Sequence, residues 1–253
     1  VLALEPEADK ALDAAERLVI ETTDILGGQS ASLAVLARPD LLTLPAGKTL
    51  GDYVTPDVRT RIEEKLTAYG IPFGSVETLQ PWFFSIALLL PPCEAARQAD
   101  GAEVLDVSLA TRAKAAGKPV LGLETAIEQV EAMASLSMDL QVASLLGMLE
   151  LKPDMPDIFE TMIELYLSGD VAMISAVAEA AMPLSEIPAE SVAAYTEFEN
   201  RIVEARNRVM AERLQPILSQ GGTFVAVGAL HLPGTTGLVE LLRKAGYTVT
   251  RAD

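Results

Sequence analysis

Residues 221–246 read GGTFVAVGALHLPGTTGLVELLRKAG, and this stretch predicts a strand, a loop and a helix. The run TFVAVGALH (223–231) is apolar and contains β-branched residues, which favours a buried strand ending at His231. A proline and two glycines then predict a loop, and LVELLRKAG (238–246) has the apolar spacing of a helix. A last run, YTVTR (247–251), predicts another strand. A strand, a helix and a second strand in this order are typical of a parallel sheet.

The same kind of pattern occurs twice nearer the N-terminus, with the helix before the strand. Residues 8–18 have helical spacing and lead into a short β-prone run at 18–20. Residues 106–117 predict a helix, and KPVLGLE (118–124) predicts a strand. The two runs end in LVIET and LGLET, so each places a Glu-Thr pair at the carboxyl end of a strand.

These units predict an α/β fold with a mainly parallel central sheet flanked by helices. We expect a single domain over residues 1–253, with its α/β core in 1–125 and 220–253. A large helical insertion is expected between them, at 126–219.

The predicted insertion starts at a capping box formed by Thr125 and Glu128. Its last helix is expected over residues 190–219. Proline and glycine predict breaks in the helical pattern at Pro153, Pro156, Gly169-Asp170, Pro183 and Pro188.

Composition limits the kinds of partner. The chain has 19 Lys and Arg against 36 Asp and Glu, a formal net charge of −17. Such a charge argues against a nucleic-acid groove, which needs a basic face. One cysteine excludes an internal disulfide. The longest apolar run, residues 82–90, is too short to span a bilayer. The sequence does not indicate an oligomeric state.

Polar residues are predicted at the ends of three strands: Glu21, Glu124 and His231. Ligands of open parallel sheets bind at the carboxyl ends of the strands, so two carboxylates and an imidazole there suit a metal or acid–base site. The alternative is structural. A lone histidine at a strand end is more often a hydrogen-bonded structural residue, and either glutamate can cap a helix or pair with a lysine.

Arg206 and Asn207 lie in the last predicted helix, near Arg201 and Arg208. A surface ion pair is the ordinary interpretation of an arginine in an acidic helix. The sharper hypothesis is that Arg206 turns inward to hold a substrate carboxylate or a developing oxyanion.

The run FVAVGALHLPGTTGLVELLRKAGYTV (224–249) resembles the closing signature of the TraB/GumN family: a strand, G-x-x-H, L-x-G, a helix and G-Y-x-V. The resemblance covers almost the whole chain. Other blocks similar to the family occur in the expected order: AAERLVIET (14–22), LPAGKTLGDYV (44–54), LQPWFFSIAL (79–88), LDVSLATRAKAAGKPVLGLET (105–125), YLSGD (166–170) and RNRVM (206–210).

The resemblance implies roles for particular residues. Family members carry two G-x-x-H motifs, and the Tiki members are described as metal-dependent proteases. His231 and Glu21 are then the expected ligands of a divalent metal (Mn, Co or Zn), and Glu124 and Arg206 the expected catalytic residues. The substrate-binding residues expected on the same basis are Gly228, Asn207 and Tyr166.

The resemblance implies that the family's first G-x-x-H lies on a strand shortly before Val1. Since His231 is the only histidine of the chain, either that motif precedes Val1 or the protein lacks it, and the chain by itself has half of the paired-histidine site. The resemblance implies a divalent-metal-dependent hydrolase, with a peptidase as one form, that acts on a small peptide or small molecule. More distant relatives include erythromycin esterases and a ChaN-like haem-binding group. The alternative is therefore a non-catalytic protein that binds a peptide or haem in the same cleft. The resemblance also implies a periplasmic or extracytoplasmic location.

Overall fold

A computed structural model describes residues 4–27, 29–89, 92–151, 154–181, 196–197 and 199–251. The strands in these ranges are β1 Arg17–Ile20, β2 Val120–Gly122 and β3 Thr223–Ala226. The helices are α1 Pro6–Ala14, α2 Gln29–Leu36, α3 Pro39–Leu42, α4 Pro56–Ala68, α5 Pro81–Leu89, α6 Pro92–Ala99, α7 Leu105–Ala115, α8 Ala126–Ala134, α9 Met138–Leu151, α10 Met155–Leu167, α11 Ala172–Ala181, α12 Ala205–Leu218 and α13 Leu238–Lys244.

The three strands form one parallel sheet in the order β2-β1-β3. β1 is central, with Ile20 opposite Gly122 on one side and Ala226 on the other. Leu18, Val19 and Ile20 are fully buried, as expected for a parallel strand covered on both faces. The predicted α/β fold, with a parallel sheet flanked by helices, is confirmed.

Helices cover both faces of the sheet because successive side chains of a strand point to opposite sides. Leu18 and Ile20 of β1 pack with residues of α1 and α7. Val19 packs on the other face with residues of α12 and α13. Fully burying one such aliphatic side chain contributes about 1.5–3 kcal/mol. This packing holds α12, which carries Arg206 and Asn207, against the sheet.

The C-terminal segment differs from its prediction at two points. β3 ends at Ala226, and a 3-10 turn follows in which the amide of His231 donates to the carbonyl of Gly228 at 2.9 Å. The strand predicted at 247–251 is wrong, since these residues belong to no strand. A strand needs a neighbour for its backbone groups, whereas the Val249 carbonyl accepts a hydrogen bond from the Arg243 side chain at 2.8 Å.

The helical region agrees in part with its prediction. The capping box is confirmed: the amide of Thr125 donates to Glu128 Oε2 at 2.7 Å, and the amide of Glu128 donates to Thr125 Oγ1 at 3.1 Å. The breaks at Pro156 and at 169–170 are also confirmed, since α10 begins at Met155 and ends at Leu167, before α11 begins at Ala172. The other predicted breaks lie outside the described residues: Pro153, Pro183 and Pro188.

The helix predicted over 190–219 is not uniform in its described part. A π-helical turn, Asn200–Glu204, leads directly into α12. Among the described residues, no single helix is both long and apolar enough to cross a membrane. Helices α8 and α9 reach the required length and apolar character only when taken together, and they are bent relative to each other.

The chain divides into two compact units. The first comprises 1–34, 97–129 and 202–253 and holds the whole sheet, and the second comprises 35–96 and 130–201. These limits differ from the predicted core and insertion, because residues 35–96 fall in the second unit. The predicted single domain stays a prediction. The core of the second unit includes Leu50, Ile62, Leu66, Phe84, Leu88, Leu145 and Leu149.

Candidate active site

Glu21, Glu124 and His231 lie at the carboxyl edge of the sheet, in the first unit. Glu21 follows β1 directly, Glu124 follows β2 by two residues, and His231 closes the turn after β3. The parallel register brings the three strand ends to the same edge. The structure therefore brings together three residues that are far apart in the sequence.

Arg206 of α12 lies between the two glutamates. Its Nη2 donates to Glu21 Oε2 at 2.8 Å and to Glu124 Oε2 at 2.7 Å. Its Nε donates to both oxygens of Glu124, at 3.1 and 3.0 Å. The side chains are 16% exposed in Arg206, 22% in Glu21 and 4% in Glu124, so this is not a surface ion pair. Burial opposes the charge of Arg206, but the two carboxylates outweigh it and raise the pKa of the guanidinium.

Gln129 joins the same cluster, although it is not one of the predicted site residues. Its Nε2 donates to Glu21 Oε2 at 3.3 Å and to Glu124 Oε2 at 3.4 Å. Gln129 lies in the first turns of α8, which starts just after β2. The sequence feature that could have indicated Gln129 as a site residue is its position just after β2 and the capping box of Thr125 and Glu128.

His231 is buried, with 6% of its surface exposed. Its Nε2 lies 3.7 Å from Glu21 Oε1, beyond hydrogen-bond range. Burial lowers the pKa of His231; the charges of Glu21 and Glu124 act against this, and that of Arg206 acts with it. Since the pKa falls below its usual value of about 6.5, the imidazole is neutral at neutral pH.

Asn207 contacts the other side of the imidazole. Its Oδ1 lies 2.6 Å from His231 Nδ1, and its Nδ2 donates to the carbonyl of Thr236 at 2.9 Å. Asn207 is 1% exposed. The role in substrate binding expected for Asn207 stays a prediction, but both ends of its amide are engaged by the protein.

Gly228 makes the close approach of Glu21 possible. Its amide donates to Glu21 Oε1 at 2.7 Å. A Cβ at this position would lie 3.0 Å from Glu21 Oε1 and 3.6 Å from His231 Cδ2. A side chain here would therefore push against Glu21, while its contact with His231 would be an ordinary one, so the glycine of the G-x-x-H motif has a steric reason.

Asp106 is a further carboxyl group at this edge that the sequence did not single out. It lies in the first turn of α7, where an acidic residue ordinarily serves the helix dipole. Burial raises the pKa of Asp106, and the negative charge of Glu21 raises it further. Asp106 therefore adds to the acidic character around Glu21.

Tyr166, the remaining predicted substrate-binding residue, belongs to the second unit. It lies on α10 and is 37% exposed. Its proposed role stays a prediction.

The side chains at this edge fit a divalent metal only in part. His231 Nε2 and Glu21 Oε1 face each other as two of the expected ligands. Protein sites for a catalytic zinc ordinarily supply three. In the described part of the chain, no group of three or more His, Cys, Asp or Glu side chains is arranged to hold a metal ion. The positive charge of Arg206, bound to both glutamates, further opposes a second cation.

Comparison with known proteins identifies a family. The model of the TraB/PrgY/gumN family matches residues 1–251. No curated protein and no solved structure matches the chain. The family match covers all three strands and every residue of the cluster at the sheet edge.

Proposed function

The chain belongs to the TraB/PrgY/gumN family, and we propose that it is a hydrolase whose active centre is the cluster of Glu21, Glu124, Arg206 and His231. The observation that carries the proposal is the meeting of two carboxylates, a guanidinium and a buried neutral imidazole at the carboxyl edge of a parallel sheet. Ligands of open α/β sheets bind at this edge. Perturbed ionisable groups in such a place are candidates for acid–base chemistry.

In this proposal His231 is the general base. Its neutral imidazole takes a proton from water at Nε2, and the hydroxide attacks the carbonyl carbon of an ester or amide. The imidazolium then returns the proton to the leaving group as the bond to carbon breaks. The charges of Glu21 and Glu124 stabilise the imidazolium while it exists.

Arg206 is proposed to stabilise the negative charge that forms on the carbonyl oxygen. Its contacts in the described residues occupy Nε, Nη2 and, through the Ile202 carbonyl at 3.2 Å, one hydrogen of Nη1. The second hydrogen of Nη1 is then available to an oxyanion. Glu124, held at both oxygens, orients this guanidinium, and we therefore place the proton transfer at His231.

Dependence on a divalent metal is the further proposal from the family resemblance. His231 Nε2 and Glu21 Oε1 would hold such an ion, which would lower the pKa of a bound water. Because the described residues supply only these two ligands, the steps above do not involve a metal. Addition of Mn, Co or Zn is therefore an arm of the test.

The second candidate is a protein that binds a small peptide or haem in the same cleft without turnover. It is favoured by the engagement of both glutamates with Arg206, since catalytic carboxylates are more often free to accept a proton. Binding alone would leave a peptide intact and retained, and bound haem would produce a Soret absorption band.

The test is hydrolysis of a peptide mixture, followed by mass spectrometry, and of chromogenic esters, with EDTA or with added Mn, Co or Zn. We expect turnover by the wild-type chain that is lost in His231→Ala and strongly reduced in Arg206→Gln. Arg208→Gln is the matched control, because Arg208 lies two residues away, is 57% exposed and pairs with Glu204 on the surface. No turnover under any condition, or turnover unchanged in His231→Ala, would exclude the hydrolase.

We also propose the periplasmic or extracytoplasmic location that the resemblance implies. Alkaline phosphatase fused to the full-length gene product tests it, since that reporter is active only outside the cytoplasm. An inactive fusion of normal abundance would contradict the proposal.

A further inference from the structure

Asn207 is held in one orientation by its two partners. Its amide has one donor group and one acceptor, and the two are exchanged when the amide flips. The group near Thr236 faces a backbone carbonyl, which can only accept a hydrogen bond. The donor Nδ2 must therefore face Thr236, and the acceptor Oδ1 must face His231.

This orientation decides which nitrogen of His231 carries the proton. With Oδ1 of Asn207 only 2.6 Å from Nδ1, the Nδ1 atom must be the donor. A proton on Nε2 would instead place two lone pairs face to face. It would gain little in exchange, because Glu21 Oε1 lies 3.7 Å from Nε2 and outside hydrogen-bond range. The tautomer of a histidine is set by the hydrogen bond that its other nitrogen makes.

We propose that Asn207 is a positioning residue that holds His231 with its proton on Nδ1, so that Nε2 keeps its lone pair on the side of Glu21. It acts through His231, since both ends of its amide are engaged by the protein. The inference rests on the proposed function only for its catalytic meaning, since the tautomer is a property of the free protein.

Asn207 and the neighbouring Arg206 occupy adjacent positions of one helix, α12, and contact different groups of the site. Adjacent residues of a helix point in directions about 100° apart. In the first turn of α12, Arg206 reaches the two glutamates while Asn207 reaches His231. One dipeptide of α12 thereby orients both the acidic and the imidazole half of the centre. The same packing that holds α12 against the sheet keeps this arrangement in place.

The single histidine of the chain makes the test direct. A ¹⁵N-labelled chain without a histidine tag shows only one imidazole, and its two nitrogen shifts report which atom bears the proton. The spectra are recorded at a pH where the imidazole is neutral, without substrate. Asn207→Asp keeps an acceptor toward Nδ1, whereas Asn207→Leu has a similar volume and no acceptor. Asn200→Leu is the control at the exposed second asparagine.

We expect the Nδ1-protonated form in the wild type, in Asn207→Asp and in Asn200→Leu. In Asn207→Leu we expect the Nε2-protonated form to appear, together with at least a tenfold lower kcat at little changed KM if the chain is a hydrolase. A wild-type proton on Nε2 would overturn the inference, whether or not the variants fold. So would a folded Asn207→Leu chain that retains the proton on Nδ1. Because the spectra need no turnover, failure of the hydrolase proposal would leave this result intact.

Discussion

Substituting Arg206 tests how much its buried ion pairs with Glu21 and Glu124 contribute to the free energy of unfolding. Arg206→Gln removes the guanidinium that donates hydrogen bonds to Glu124 at 2.7–3.1 Å and to Glu21 at 2.8 Å. Both carboxylates then lack a positively charged partner. Breaking a buried ion pair by removing one partner costs about 3–5 kcal/mol, because the remaining charge is left uncompensated. Glu124 is 4% exposed, but Glu21 is 22% exposed and can recover some hydration. We therefore expect the lower end, a loss of about 3 kcal/mol in the free energy of unfolding.

Urea unfolding followed by circular dichroism measures this loss, and a thermal melt should show a decrease of about 6–12 °C, at about 2–4 °C per kcal/mol for a chain of this size. Arg208→Gln is the control; its exposed pair with Glu204 should contribute no more than about 1 kcal/mol. Adding Glu124→Gln to Arg206→Gln should restore part of the stability, because one uncompensated charge is removed. If Arg206→Gln and Arg208→Gln lose the same amount, the guanidinium does not balance buried carboxylates and the reasoning is wrong.

Three further predictions concern single side chains. Gly228→Ala should lower the free energy of unfolding by about 1–3 kcal/mol, since its Cβ would lie 3.0 Å from Glu21 Oε1; an unchanged urea midpoint would contradict the close approach. Gly147→Ala should instead stabilise the chain, because Gly147 lies inside α9 and a Cβ added there would meet open space. We expect a higher urea midpoint and a gain of about 0.5–1 kcal/mol in the free energy of unfolding. The guanidinium of Arg213 and the amide of Thr125 lower the pKa of Glu128 from 4.5 to about 2, so the stabilisation by the Glu128 carboxylate is present above pH 4.5 and is lost as the pH falls toward 2. Because Glu128 is 40% exposed, the contribution is at most about 1 kcal/mol, and identical stability-versus-pH curves for the wild type and Glu128→Gln would refute it.

Much of the fold follows from local sequence. The β-prone run predicted at 18–20 lies in β1, and the strand predicted at 223–231 forms over its first four residues, because both runs are apolar and contain β-branched residues. The capping box at Thr125 forms for the same local reason. Once the strands are parallel, the meeting of Glu21, Glu124 and His231 at one edge is a geometric consequence. The run at 247–251 shows the limit, since a β-prone sequence becomes a strand only where a neighbouring strand is available.

Only the tertiary structure decides which partners the site residues have. Arg206 lies 185 residues from Glu21 in the chain, so no local pattern indicates that its guanidinium joins the two glutamates. The contact of Asn207 with His231 and the place of Gln129 likewise depend on how α12 and α8 pack beside the strands. The sequence by itself determined the place of the three strands and the polar residues that follow them, because backbone preference and apolar spacing are local properties, but it did not determine that residues 247–251 stay outside the sheet. The ion pairs and the hydrogen bond of the imidazole were decided by the folded chain, because they depend on distances between segments that only packing sets.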